Sequence, residues 1–333
     1  MKAKFQTRSY DPTREGQGQA FARAGKTTKT ECDTQAHRPA SCTANNVVAE
    51  ATLVDAHGQF VEVSGRRIYY LHWPAHGPNI VLIHGFGTAN TSWNTVGPLL
   101  ARAGYATYAL DLGGFGLSSK AWEANYGHPE QADLVAAWME HLGLDSALIV
   151  GHSMGGNVAA HLALRHPQRV ATLVLAAPAI LSGLVTTPRQ LSGLVKVPAL
   201  RLAARLAVRW IIKRSDFSQF EASNPQVLRV LRTADWDQAL VATARDSWAN
   251  QLTPEQLGSI NVKTLLIWGT NDQTIPVTDS VRLKALLPDA HFISMPGSGH
   301  MAHEEDPHSF VAHALSALTN RATWPISPFA KSA

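Results

Sequence analysis

A serine hydroxyl is a poor nucleophile at neutral pH. To react it needs a base within hydrogen-bond reach, a group orienting that base, and donors for the oxyanion that forms. The stretch ALIVGHSMGGNVAAHLALRHP, which begins at Ala147, boxes one serine, Ser153, between Gly151, Gly155 and Gly156. An apolar run leads into it and a helical apolar pattern leaves it, so the serine falls where a strand turns sharply into a helix. Gly151 and Gly155 permit so crowded a turn, and His152 and Met154 complete a G-x-S-x-G segment. Such a corner lifts a hydroxyl clear of a sheet at a helix N-terminus. The bland alternative is a serine that merely caps the helix.

The partners of a reactive serine have local signatures of their own. Of the 15 histidines, His300 ends ISMPGSGH, a strand followed by a Gly-Ser-Gly turn, which is where a general base would stand. His303, beside Glu304 and Glu305, reads instead as the start of the last helix. Asp272, in IWGTND, lies at the exit of the preceding strand and is the candidate orienting carboxylate. The chain order Ser, Asp, His is the one used by strand–turn–helix nucleophiles in open α/β sheets. Asp111 also ends a strand but precedes the serine, so a loop-bracing role is expected for it. His84-Gly85-Phe86-Gly87 ends the first buried strand in a tight turn. The backbone N–H groups of Phe86 and of Met154 are the candidate oxyanion donors, each typically worth ~3 kcal/mol of transition-state stabilisation.

These residues require a scaffold of buried strands alternating with helices. QFVEVSGRRIYYLHW reads as two short strands around a turn at Ser64-Gly65. Continuous apolar runs at 79–85, 106–114, 147–153, 170–179 and 262–272, and a strand at 291–300, read as strands buried on both faces. Helical patterns fall at 129–142, 154–166, 277–287 and 305–319. The predicted fold class is α/β, a mostly parallel sheet with helices on both faces. The alternation breaks from 181 to 258, a helical insertion that would lie at the carboxyl edge of the sheet as a cap, where such folds bind ligands. The expected division is a disordered basic N-terminal tail (1–50), a core in two parts (58–180 and 259–320), the cap (181–258) and a C-terminal tail (321–333).

Composition bounds the function classes. Hydrophobic residues make up 45% and charged residues 16% of the 333, as in globular proteins. No apolar run reaches the ~18 residues of a membrane span. The net charge is +4, but residues 1–50 hold eight Lys/Arg against five Asp/Glu, leaving the remainder near neutral. No nucleic-acid partner is therefore expected. Cys32 and Cys42 both lie in the leading segment, with only His37 between them, so no metal site is expected. The leading segment lacks the apolar core of a secretory signal, and a cytoplasmic location is expected.

Together the motifs resemble the α/β-hydrolase superfamily over roughly residues 58–320. LIHGFGTANTSW, DLGGFGLSS, GHSMGG, WGTNDQTIP and GSGH look most like small-cap bacterial esterases and lipases of the family V type. The resemblance implies Ser153 as nucleophile, His300 as general base and acid, Asp272 as orienter, Phe86 and Met154 at the oxyanion hole, and no cofactor. It implies cleavage of carboxylic esters through an acyl-enzyme. Acyltransferases and cofactor-free perhydrolases share the triad and remain open. Carbon–carbon bond hydrolases usually carry asparagine before the serine and a Ser-Gly-rich oxyanion loop, where this chain has His152 and Phe86-Gly87. A non-catalytic binding protein on the same fold is the remaining alternative. Gly113 stands where such enzymes usually carry proline, which is expected to loosen that loop.

The cap hints at the substrate, expected to be a small ester with a hydrophobic acyl group. RLAARLAVRWIIKR (201–214) reads as an amphipathic helix with Arg201, Arg205 and Arg209 on one face, and residues 189–214 hold seven basic residues and no acid. Its basic face is either a solvated outer surface or a lid meeting a lipid interface or an anionic substrate. Trp210, Phe217, Phe220, Trp236 and Trp248 are expected in the cap core.

Overall fold

The computed structural model describes residues 53–181, 197–214, 231, 233–247, 251–287 and 289–318, the side chains of 211–214 excepted. Both expected tails, the two cysteines, Phe217, Phe220 and Trp248 lie outside the described residues.

Eight strands form one sheet: β1 (Gly58–Val63), β2 (Arg66–Trp73), β3 (Gly77–Ile83), β4 (Tyr105–Leu110), β5 (Ala147–His152), β6 (Val170–Ala176), β7 (Thr264–Gly269) and β8 (Ala290–Met295). Their order is β1-β2-β4-β3-β5-β6-β7-β8. β2 is antiparallel to both neighbours, and every pair from β4 to β8 is parallel. All six residues of β5 and of β7 are buried, which explains their unbroken apolar character: helices cover both faces.

Successive side chains point to opposite faces and divide the core in two. Val81, Ile83, Ile149, Leu173, Leu175 and Trp268 pack with α2 (His128–His141), α3 (Met154–Arg165) and α7 (Thr278–Leu286). Ile80, Leu82, Leu148, Val150, Val174 and Ile267 pack with α1 (Val96–Arg102) and α9 (Pro307–Ser316). Among the described residues no helix is long and apolar enough to cross a membrane.

Two boundaries differ from the sequence reading. β6 stops at Ala176 because Ala177 takes φ +40° and Pro178 follows. The expected helix at 305–319 is two, α8 (Ala302–Glu305) and α9, broken where the Asp306 carboxylate caps the Ser309 N–H and Pro307 starts the new helix. The described helices of the insertion between β6 and β7 include α4 (Pro198–Arg214) and α5 (Trp236–Ser247). Leu252, Ile260 and Leu257 of α6 (Pro254–Gly258) are buried in the α3-side core.

Two contacts fasten α5 to the loop after β4. The Asp246 carboxylate accepts from the Tyr126 N–H at 2.9 Å, and Arg245 donates to the Ala124 carbonyl at 3.0 Å. Trp122 lies under the guanidinium groups of both Arg201 and Arg245.

Candidate active site

β5 delivers Ser153 to a corner at φ +53°, ψ −119°, a conformation that L-residues rarely adopt. Surrounding bonds hold it there. The Ser153 N–H donates to the Ala176 carbonyl at 3.0 Å, and the Ser153 carbonyl accepts from Gly156 at 3.0 Å and Ala179 at 2.9 Å. The flanking glycines answer to close packing. A Cβ on Gly155 would collide with the carbonyls of Ile83 and His84, and one on Gly151 with the carbonyl of Gly155.

The structure brings the three residues expected to act together into one line. Ser153 Oγ lies 3.0 Å from His300 Nε2, and His300 Nδ1 lies 2.8 Å from Asp272 Oδ2. A carboxylate accepts, so Nδ1 carries the proton of the neutral ring and Nε2 is left to accept from the serine. The other Asp272 oxygen accepts from the Thr274 and Ile275 N–H groups, both at 2.8 Å, and its side chain is fully buried. The carboxylate thus has one orientation. Glu305 fixes the loop carrying His300 by accepting from the Gly299 N–H at 2.6 Å. Sequence reasoning passed over Glu305; its signal was an acid five residues beyond the histidine, just before a capped helix.

The His84–Gly87 turn meets this line from β3. Gly85 packs against His152 and Ser153, where a Cβ would come 3.0 Å from His152 Nδ1. The Gly85 carbonyl accepts from His84 Nδ1 at 2.8 Å and from the Thr88 hydroxyl at 3.0 Å. His84 Nε2 accepts from the Leu112 N–H at 3.1 Å, so its proton must sit on Nδ1. Burial lowers the His84 pKa to about 4 and keeps the ring neutral. The peptide so anchored is the one whose other end is the Phe86 N–H. Met154 opens α3, so its N–H has no acceptor within the helix.

Behind His300 lie two more imidazoles. His152 donates from Nε2 to the His300 carbonyl at 2.9 Å, and its ring centroid is 4.5 Å from that of His303, which in turn packs on Trp93. Burial lowers both pKa values, reinforced at His152 by His303 and His300 and at His303 by His300, the last to about 3. Glu304 lies 3.8 Å from His303, too far for a hydrogen bond, and the neutral ring offers it no ion pair.

Two expectations about the loop after β4 have outcomes. The Asp111 carboxylate accepts from the Asn90 and Leu117 N–H groups, both at 2.7 Å, and so ties the His84 turn to that loop. Gly113 does not loosen it: its N–H donates to Gln131 at 3.1 Å, a bond proline could not make, and its carbonyl accepts from the same side chain at 2.8 Å. Among the described residues no group of three His, Cys, Asp or Glu is placed to hold a metal ion.

α4 departs from two expectations. Arg201, Arg205 and Arg209 share a face as expected, but that face turns toward α5: Arg205 and Arg209 both reach the buried Asp237 at 2.8 Å, the Arg209 side chain staying 46% exposed. Burial alone would raise the Asp237 pKa, yet the two guanidinium groups bring it down to about 2. Trp236 is buried as expected, whereas Trp210 is 58% exposed rather than in the cap core. It stands on the outward face that the arginines leave.

A family model described as alpha/beta hydrolase fold matches residues 78–307. The chain is 31% identical over 265 residues to an uncharacterised hydrolase, YugF, of Bacillus subtilis, covering 75% of this chain and 94% of that one. It is 28% identical over 279 residues to a 2-hydroxy-6-oxo-6-phenylhexa-2,4-dienoate hydrolase of Burkholderia cepacia, covering 75% and 91%. Among solved structures, a membrane phospholipase A described as a bacterial virulence factor superposes with a TM-score of 0.62 at 27% identity, over 81% of this chain and 87% of that one.

Proposed function

The chain belongs to the α/β-hydrolase family, and from that premise we propose that it is a serine hydrolase cleaving carboxylic esters through an acyl-enzyme. The observation that carries this reading is the 3.0 Å approach of Ser153 Oγ to His300 Nε2, whose other ring nitrogen lies 2.8 Å from Asp272. His300 takes the serine proton as Oγ attacks the ester carbonyl. The tetrahedral oxyanion rests on the N–H groups of Phe86 and Met154, and Asp272 stabilises the imidazolium that has formed. The protonated ring then gives its proton to the departing alcohol oxygen. Water repeats the sequence on the acyl-serine, releasing the acid and restoring the hydroxyl. No step requires a cofactor.

The Burkholderia relative favours a second reading, hydrolysis of a carbon–carbon bond. That reaction requires a proton delivered to carbon before the bond breaks, whereas an ester needs only one imidazole working on oxygen. His300 is the imidazole aimed at Ser153. His152 spends its N–H on the His300 carbonyl, and His303 is shut in against Trp93. This disposition supports the ester, as does likeness to a phospholipase. The test is a p-nitrophenyl ester series from C2 to C16 run beside 2-hydroxy-6-oxo-6-phenylhexa-2,4-dienoate. The ester reading expects kcat/KM for the best ester to exceed that for the dienoate by at least about 100-fold; the reverse order overturns it. Capture of the acyl group by an added alcohol or thiol in preference to water would instead mark an acyltransferase.

A further inference from the structure

α4 presents its apolar side to water. Its exposed apolar positions include Ala199, Leu202, Ala203, Leu206, Ala207 and Trp210, a spacing of three and four that makes one continuous helical stripe. Leu202 is 56%, Leu206 57% and Trp210 58% exposed. Scattered exposed apolar residues are ordinary. A surface helix ordinarily turns such a stripe to the core and its charges to solvent. Here the reverse arrangement is enforced from α5, where the buried Asp237 carboxylate draws in both Arg205 and Arg209, each by two hydrogen bonds. Arg201 is held over Trp122. Turning arginines toward α5 and Trp122 while showing leucines to water makes physical sense when something apolar meets the leucines.

We propose that this outward stripe of α4 seats the protein on a lipid bilayer bearing anionic phospholipids. Three observations select that occupant. Residues 189–214 contain no acid, and in the chain Lys196 precedes the stripe while Lys213 and Arg214 follow it, a flanking positive charge that matches an anionic surface. The stripe spans about 11 residues, roughly 17 Å long and about 10 Å wide. That gives under about 200 Å², far short of the ~800 Å² per partner of a stable protein interface. A helix lying in the plane of a bilayer interface needs only such a strip. Finally, α4 belongs to the insertion that leaves β6, whose exit is bonded to Ser153 through Ala179, and it rests on Trp122 from the loop after β4. The stripe therefore stands on the insertion at the same sheet edge as the serine. The corrected picture of this helix is that leucines, rather than arginines, meet the lipid.

The test is flotation of the full chain with vesicles of phosphatidylcholine alone or with roughly one-third phosphatidylglycerol, whose negative surface potential attracts flanking Lys and Arg. The wild type and the Leu202→Glu/Leu206→Glu variant are compared, with melting curves to check that both are folded. The proposal expects the wild type to float with the anionic vesicles and the variant to lose at least about tenfold in partitioning, while turnover of a soluble short-chain ester is unchanged. Absence of wild-type binding at low salt, or equal binding by the variant or to phosphatidylcholine alone, overturns it. So does conversion of a dimer to a monomer by the same substitutions, which would assign the stripe to a second copy. Ser153→Ala should bind vesicles like the wild type, so docking and the catalytic reading succeed or fail separately.

Discussion

His84 Nδ1 donates to the carbonyl of Gly85 at 2.8 Å and so orients the peptide that ends in the Phe86 N–H. A donor bonded at its carbonyl end is also polarised towards giving its proton. His84 acts through this peptide and is a positioning residue. In His84→Ala the Gly85 carbonyl keeps only its bonds from Thr88. Because loss of a whole oxyanion donor costs ~100- to 1,000-fold, kcat on p-nitrophenyl butyrate should fall by about 10- to 100-fold. KM should change by less than about twofold, since the oxyanion exists only in the transition state. A folded variant with unchanged kcat, or one that loses only KM, refutes the assignment.

Ser153 stores backbone strain at φ +53°. Glycine elsewhere in a structured segment is less stable than alanine by ~0.5–1 kcal/mol. Here the order should reverse, with Ser153→Gly more stable than Ser153→Ala by about 1 kcal/mol, or roughly 2–4 °C in melting temperature. Thermal unfolding of the two inactive variants, side by side, decides it. An alanine variant equal to or above the glycine variant contradicts a strained corner.

Glu304 gives a pH dependence to stability. Burial, with a smaller push from the charge of Glu305, raises its pKa to about 7. An unfolded glutamate titrates near ~4.3, so the fold favours the protonated form. Its contribution is fully present below about pH 4 and is lost as pH rises through 7. Glu304→Gln keeps the neutral form at every pH. Its melting temperature should approach the wild type's at pH 5 and exceed it at pH 8, by up to roughly 3 kcal/mol in stability. A gap that stays constant between those pH values rules out a buried, protonated Glu304.

The residues that converge on Ser153 were legible because each carries a signature within a few neighbours. Glycine-boxed Ser153, Asp272 at a strand exit and His300 after Gly-Ser-Gly each follow an apolar run, and parallel strands all deliver their ends to one edge. The break at Asp306-Pro307 was equally local and was read over by apolar periodicity. The direction of α4 was not legible. Its arginine and leucine stripes are both regular, and periodicity says that two faces exist without saying which meets the protein. Asp237, at least 28 residues away in the chain, decides that. The clamp of Gln131 on Gly113 and the bond from the Gly299 N–H to Glu305 are likewise side-chain contacts that no repeat announces.

The central claim is that an acyl group passes through Ser153 Oγ. It is tested most directly by incubating the protein with a fluorophosphonate, which mimics the attacked ester, and locating the adduct by mass spectrometry of the digested chain. The account predicts one label per chain, on Ser153, blocked by prior substrate, absent in Ser153→Ala and strongly slowed in His300→Ala. Labelling of another residue, or ester turnover that persists in Ser153→Ala, would contradict it.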